Sequence, residues 1–371
     1  MKTPRELLRV LREKTAFLPA PATWFQNLDP IETDAFYYSI RKRIVTRYWK
    51  AFGRKPNLCN PQLYSEKVQW RKLYCPQVEL LGRVTDKVGV YEYIREKLGN
   101  DHLLPILWLG DKFDEETLRS LGDQIVLQPT HRSGQVVFIE KSEYILYEEL
   151  SKWLHRMLRQ PYSMLGQEPW YGRIHPQIVA RPLVRNPDGT PYLNDCKFHL
   201  FKQKDGSTKV ICEIINTYPH WRAIFDENFK RLPFDWSPDT YPPPQDNPEK
   251  PKQFEEMLAD AQVLSSDFDY VRVDFMMGAE EYYFTELTFA PAGGHPEITP
   301  PEWDKIVGSY WDLDTGNMFK RFFWKTRAWL PLWKTERPMR NILRLYRYKQ
   351  SEWAIRGIRQ IDYDSRYSDA H

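Results

Sequence analysis

The sequence predicts an α+β protein. Helical patterns dominate the first hundred residues, and Ile178 to Phe289 is rich in strand-like runs. Two pairs of those runs in the chain are separated by hairpin signals, Ser133-Gly134 and Asp205-Gly206. No internal repeat interrupts this order.

Residues 2–16 read as a short basic amphipathic helix with Leu7, Leu8, Val10 and Leu11 as its stripe. Residues 35–52 read as a second helix, carrying five basic side chains and stopped by Gly53. Asn60-Pro61 marks a turn, and Tyr64 to Tyr74 returns to helical spacing. Asp86 is placed to cap a helix from Lys87 to Leu98, which Gly99-Asn100 ends. Leu104 to Leu109 is apolar enough for a buried strand, and Asp114 to Leu121 suits a short helix. Gln124–Leu127 and Gln135–Ile139 flank a loop at Pro129 to Gly134, a hairpin shaped to cover a ligand. Ser142 to Arg159 is helical, Ile178 to Val184 a strand, and Cys196–Phe201 and Lys209–Ile215 a hairpin. Seven prolines between residues 233 and 251 exclude helix and central strand, leaving an extended surface loop. Phe254 to Leu264 is a helix; Tyr270–Met276 and Glu281–Phe289 are strands, followed by the Gly-rich Pro291 to Gly294.

At 371 residues the chain has room for two or three lobes. Its 42% hydrophobic and 28% charged content is that of a globular protein. The 15% aromatic content suits flat ligands such as sugars or bases. No apolar run reaches the roughly 20 residues of a membrane span. Arg9, Arg12, Glu13 and Lys14 interrupt any secretory core, so a cytoplasmic protein is expected. Cys59, Cys75, Cys196 and Cys212 form no C-x-x-C pair and read as reduced, mostly packed thiols. Charge is concentrated at one end. Lys320 to Arg359 holds twelve basic residues against Glu336 and Glu352, a local +10; with +3 for the whole chain, the remainder carries −7.

The chemistry is densest in residues 270–289. Strand alternation sets Arg272 and Asp274 on one face, and Glu286 and Thr288 likewise. A turn centred near Glu280 places Asp274 opposite Glu286 at cross-strand distance, roughly 5 Å. Two carboxylates so close need a proton or a cation between them, and a hard divalent ion such as Mg²⁺ suits them. Arg272 adds a fork for phosphate or carboxylate. A salt-bridged polar sheet face accounts for the same pattern. Asp195, Lys197 and His199 share one parity, either as a cation source beside the carboxylates or as an exposed edge strand. His131 and His295 lie in Gly-containing loops, as ligands or simply solvated. The loop Thr130 to Gly134 could offer backbone N–H groups to phosphate oxygens. No Walker-type loop, G-x-G-x-x-G, G-x-S-x-G or H-E-x-x-H is present.

The order TDKVGVYEYIREKLG, QIVLQPTHRSG, PQIVARPLV, DCKF and VRVDF…FTELTFAPAGG resembles the TupA-like ATP-grasp family. That family is named for teichuronopeptide biosynthesis and occurs in cell-surface polysaccharide gene clusters. The resemblance runs from Phe52 to Leu313 and is most specific in RVDF…ELTF…AGG. It implies an ATP-grasp fold with nucleotide between two α+β lobes, and ATP-dependent carboxylate–amine ligation through an acyl phosphate. It divides the chain into a helical region at 1–80, a catalytic region at 81–318 and a basic aromatic tail at 319–371. Within the catalytic region, a phosphate-loop lobe falls at 104–160 and a metal-site lobe at 173–318. By the same resemblance Asp274, Glu286 and Thr288 bind Mg²⁺, Thr288 standing where many relatives have Asn. Lys197 and Arg272 face the phosphates or acyl phosphate, and Lys87 is a further phosphate contact. Thr130, His131, Ser133 and Gly134 belong to the covering loop.

Two residues depart from the family pattern. Gln128 stands where it has a phosphate-binding lysine, and Arg181 where it tends to have a glutamate near the adenine hinge. They keep open an ATP-grasp-fold transferase with a changed donor, a sugar kinase or a nucleotide-sugar glycosyltransferase, and a non-catalytic nucleotide- or glycan-binding scaffold. A glycan or lipid-linked saccharide is the expected acceptor. The tail interleaves Trp324, Trp329, Leu330, Leu332 and Trp333 with basic residues. That composition suits either packing on the acidic remainder or peripheral contact with an anionic membrane. A net acidic body argues against nucleic acid as a partner.

Overall fold

The strand-rich half of the chain folds as a five-stranded antiparallel sheet. In this computed structural model, which describes residues 30–140, 145–190, 194–217, 219–335 and 358–362, its order is β10-β9-β5-β6-β7. The strands are β5 (Asn194–Lys202), β6 (Thr208–Asn216), β7 (Trp221–Phe225), β9 (Tyr270–Met277) and β10 (Tyr282–Thr288). Asp205 makes the predicted β5–β6 turn by accepting from the Ser207 N–H at 2.9 Å. Phe198, Leu200, Val271, Val273 and Phe275 are buried on one face, with Phe254, Met257 and Ala261 of the helix Phe254–Ser265 in the same core. The opposite face is polar, which is why period-two alternation was legible along these strands.

A second antiparallel sheet has the order β1-β4-β2-β3-β12, from β1 (Trp108–Gly110), β2 (Ile125–Pro129), β3 (Gln135–Ile139), β4 (Ile178–Pro182) and β12 (Ile358–Asp362). Ile125, Leu127, Val137, Ile139, Ile178 and Ala180 form a separate core with Leu150, Trp153 and Leu154 of the helix Tyr147–Leu158. The other face of this sheet carries Gln128, Val179 and Arg181. Two sheets with two cores are the physical content of the predicted α+β reading.

Several boundaries move. The helix predicted over 35–52 spans Pro30–Phe52. The helix predicted from Lys87 begins at Val90, because Asp86 turns its carboxylate onto the Val88 N–H at 3.0 Å and caps a preceding turn instead. The helix Val78–Thr85 was not anticipated. The buried strand expected over Leu104 to Leu109 shrinks to Trp108–Gly110 at a sheet edge, and Leu107 and Leu109 are exposed; Pro105 and the edge position forbid more. The Pro-rich segment is not wholly superficial. Strand β8 (Asp235–Trp236) pairs with β11 (Ile298–Thr299), and Phe234, Trp236 and Tyr241 are buried. The helix predicted over 2–16 lies outside the described residues.

The tail begins as the helix Met318–Thr335, whose Ala328 and Trp329 are buried. Trp329 Nε1 donates to the Lys72 carbonyl at 3.0 Å, fastening it to the helix Tyr64–Tyr74. Pro331 has no N–H for the carbonyl of Arg327, four residues earlier. Arg173 Nη2 donates to that carbonyl instead at 2.7 Å. Among the described residues, no helix is long and apolar enough to cross a membrane.

Candidate active site

The polar face of the larger sheet is organised in rungs. Glu213, Lys197, Asp274 and Glu286 are aligned in register across β6, β5, β9 and β10. The next rung is Ile211, His199, Arg272 and Thr288. Asp274 and Glu286 are thus opposite each other, as the alternation predicted, but by a different route. The hairpin pairs Met277 with Tyr282, which alone would set Asp274 against Thr285. A bulge between Phe284 and Glu286 shifts the register by one and brings Glu286 alongside. The bulged Thr285 donates its hydroxyl to the Asp274 carbonyl at 2.9 Å.

Asp274 is 1% exposed, and its charge is fully engaged. Arg272 grips it with Nε on Oδ1 at 2.6 Å and Nη2 on Oδ2 at 2.5 Å. Lys197 Nζ donates to Oδ2 at 3.1 Å and also meets Asp195 at 3.1 Å. Burial pushes the Asp274 pKa up, but Arg272 and Lys197 outweigh it, so the carboxyl stays below its ordinary value. Arg272 Nη2 also reaches Glu286 Oε1 at 3.5 Å and Thr288 Oγ1 at 3.3 Å. Thr288 donates to Glu286 at 3.1 Å. The guanidinium therefore sits between the two carboxylates, where sequence reasoning asked for a cation.

Lys87, between the helices Val78–Thr85 and Val90–Leu98 of the larger core, ties that core to the smaller sheet. Its ammonium donates to the Arg132 carbonyl in the Thr130–Gly134 loop, and its own carbonyl accepts from Arg181 Nη2. Burial lowers its pKa to about 8; Glu286 on one sheet counters that, while Arg181 and Arg132 on the other reinforce it. Arg181 is buried against the Tyr91 ring, 5.1 Å from its centroid. Gln128 lies on the same sheet face, two residues along β2 from Val126, the partner of Arg181.

The loop members differ in what they have free. Thr130 is spent on structure: its hydroxyl donates to the His175 carbonyl at 3.1 Å and accepts from the Gln177 N–H at 3.1 Å. His131 is 3% exposed, and neither ring nitrogen has a hydrogen-bond partner. Burial, helped by Arg132 and Lys87, drops its pKa to about 4, so the ring is neutral at pH 7. Ser133 and Gly134 are half-buried, and Gly134 needs its glycine for φ of 82°. His295 lies apart from the loop, near Lys72 and Arg47, and burial lowers its pKa to about 3.

Sequence reasoning singled out His199 but missed Glu213 and Arg222, to which the structure connects it. Glu213 is buried, bonded to His199 Nε2, and held by Arg222 at 3.1 Å. His199 Nδ1 meets Tyr270 OH at 2.9 Å, and Tyr270 OH meets Tyr64 OH at 2.7 Å. A single carboxylate inside the apolar run VICEII was the available signal. Lys72 gave none; its ammonium donates to the Gly293 carbonyl at 2.6 Å from inside a buried helix. Gly294, at φ of 73°, packs so tightly that an added Cβ would lie 2.6 Å from Val68.

Mg²⁺ is the cation the donor set fits. Two register-paired carboxylates and a hydroxyl are hard oxygen ligands. Among the described residues no three His, Cys, Asp or Glu side chains gather as a metal cage.

Two antiparallel sheets, each on its own core, fit an ATP-grasp arrangement. The chain belongs to the TupA-like ATPgrasp family, whose profile matches residues 66–312. Among solved structures it is similar to a D-alanine–D-alanine ligase from Helicobacter pylori, at 12% identity and a TM-score of 0.38, over 62% of this chain and 61% of that one. It is also similar to the D-alanine–D-alanine ligase from Bacillus anthracis, at 15% identity and a TM-score of 0.31, over 68% of this chain and 70% of that one. The chain thus spans less than two thirds of the Helicobacter pylori enzyme. No curated protein matches it.

Proposed function

We propose that this protein is an ATP-dependent carboxylate–amine ligase acting through an acyl phosphate on a saccharide of the cell-surface polysaccharide type. The observation that supports this most is the rung Lys197–Asp274–Glu286 with Arg272 beside it, inside the segment that matches the family. In this reading a substrate carboxylate takes the γ-phosphoryl group and ADP leaves; an amine then displaces phosphate from the acyl carbon and loses a proton. Asp274, Glu286 and Thr288 would hold Mg²⁺, which when bound supplies positive charge to the phosphoryl oxygens. Arg272 and Lys197, released from neutralising Asp274, would then serve the charge that develops on the transferring group. Ser133 and Gly134 would offer backbone N–H groups, and the loop would keep water from a hydrolysable intermediate.

Gln128 and Arg181 favour a second reading, a transferase with a nucleotide-sugar donor. They share one sheet face, so the departures from the family pattern fall together on the nucleotide side. Calorimetry with Mg²⁺ separates the two, comparing ATP with UDP-sugars on the wild type and on Asp274→Asn. The ligase reading expects ATP binding that needs Mg²⁺ and is lost in the variant. UDP-sugar binding without ATP binding overturns it.

A further inference from the structure

We infer that the helices Pro30–Phe52 and Met318–Thr335 form a docking surface for an anionic lipid membrane. Among the described residues, large apolar side chains are exposed at ten positions, and six of these lie on the two helices: Tyr38, Trp49, Met318, Phe319, Phe322 and Phe323. The helices touch each other. On the first, Tyr38, Lys42 and Trp49 are exposed at helical spacing along one stripe, with Arg41 exposed at its edge, while Ile40, Ile44 and Tyr48 are buried. On the second, Phe319, Phe322 and Phe323 follow the same rule.

The second helix cannot roll to hide these rings. Ala328 and Trp329 are buried, Trp324 stands edge-on to Trp70 at 6.0 Å, and Trp329 is bonded to the Lys72 carbonyl. Phe319 stays 78% exposed.

Charge selects the occupant. Met318 to Thr335 contains Lys320, Arg321, Lys325, Arg327 and Lys334 and no acidic residue. Arg41, Lys42 and Lys50 are exposed on the neighbouring helix. Aromatic side chains interleaved with cations on a docked helix fit an anionic headgroup layer, the rings entering the interface and the cations meeting lipid phosphates. A second copy docking through this same face would bring the same positive charge and be repelled.

The test is sedimentation of the full chain with large unilamellar vesicles. One set is phosphatidylcholine alone, the other contains about 30% phosphatidylglycerol, a content chosen to give a strongly negative surface. The variant is Phe319→Ser/Phe322→Ser/Phe323→Ser. Its melting temperature checks folding, and light scattering gives its mass. The wild type is expected to partition onto the anionic vesicles only, less so at 0.5 M salt than at 0.1 M, where screening is weaker. The variant is expected to lose about tenfold or more in partitioning at unchanged melting temperature. Equal partitioning of wild type and variant overturns the inference. So does absence of binding to anionic vesicles, or a dimer that the variant breaks without any vesicle association.

Discussion

Asp274 has almost no contact with water and two cations on its carboxylate. Breaking a buried pair by removing one partner leaves uncompensated charge, at a cost of about 3–5 kcal/mol. Asp274→Ala should therefore destabilise the fold by about that much in urea titration, leaving Arg272 with Glu286 and Lys197 with Asp195 as their remaining carboxylates. Asp274→Asn keeps the shape, which is why it serves the nucleotide-binding test. His131 tests burial in the opposite sense. Its pKa is about 4 when folded and ordinary when unfolded, so the unfolded chain binds the proton first. The stability tied to a neutral ring is present above pH 6.5 and drains away as pH falls toward 4. His131→Leu removes this titration. Its melting temperature should fall less than that of the wild type between pH 7 and pH 4.5.

The β9–β10 hairpin shows how an element decides chemistry. Tyr282, Phe284, Leu287 and Phe289 are all buried, although the first pair and the second have opposite parity. Only an extra residue between them reconciles the two, and Thr285 is that residue. The parity switch is visible in YYFTELTF, yet the turn centre alone predicted the Asp274–Glu286 pairing, so a correct pair was reached through an incorrect turn. The helix Met318–Thr335 is a second case. Its inner face is held by Trp329 and by Arg173, which serves the carbonyl that Pro331 leaves unpaired. Trp329→Ala should cost about 3–5 kcal/mol in local docking and expose Lys325 and Arg327 to trypsin at a rate the wild type does not show.

For the whole molecule, the question is which nucleotide the polar face of the smaller sheet, with Gln128 and Arg181, accepts. Gln128 is the position at which a lysine would add a charge-assisted bond to phosphate, worth about 1.5–3 kcal/mol. If the nucleotide is ATP, Gln128→Lys should tighten its binding roughly 10–100-fold by calorimetry. Unchanged ATP affinity in that variant would count against a phosphate beside β2.

The sequence by itself determined the α+β class, the polar faces of β5 and β9, the Asp205-Gly206 turn and the family. These are local signals, period-two alternation and turn chemistry, together with a long conserved-order resemblance. Alternation and the turn also placed Arg272, Asp274, Glu286 and Thr288 together, and the family resemblance added Lys197, whose strand the structure sets beside β9. Only the tertiary structure decided that Arg272 bridges both carboxylates, that Thr130 is a latch rather than a free hydroxyl, and that Lys87 is bonded to the covering loop and to Arg181. It alone added Glu213 to the rung and gave the basic tail helix a buried face and an exposed aromatic one. Those features depend on contacts between residues tens to hundreds of positions apart, which no local periodicity encodes.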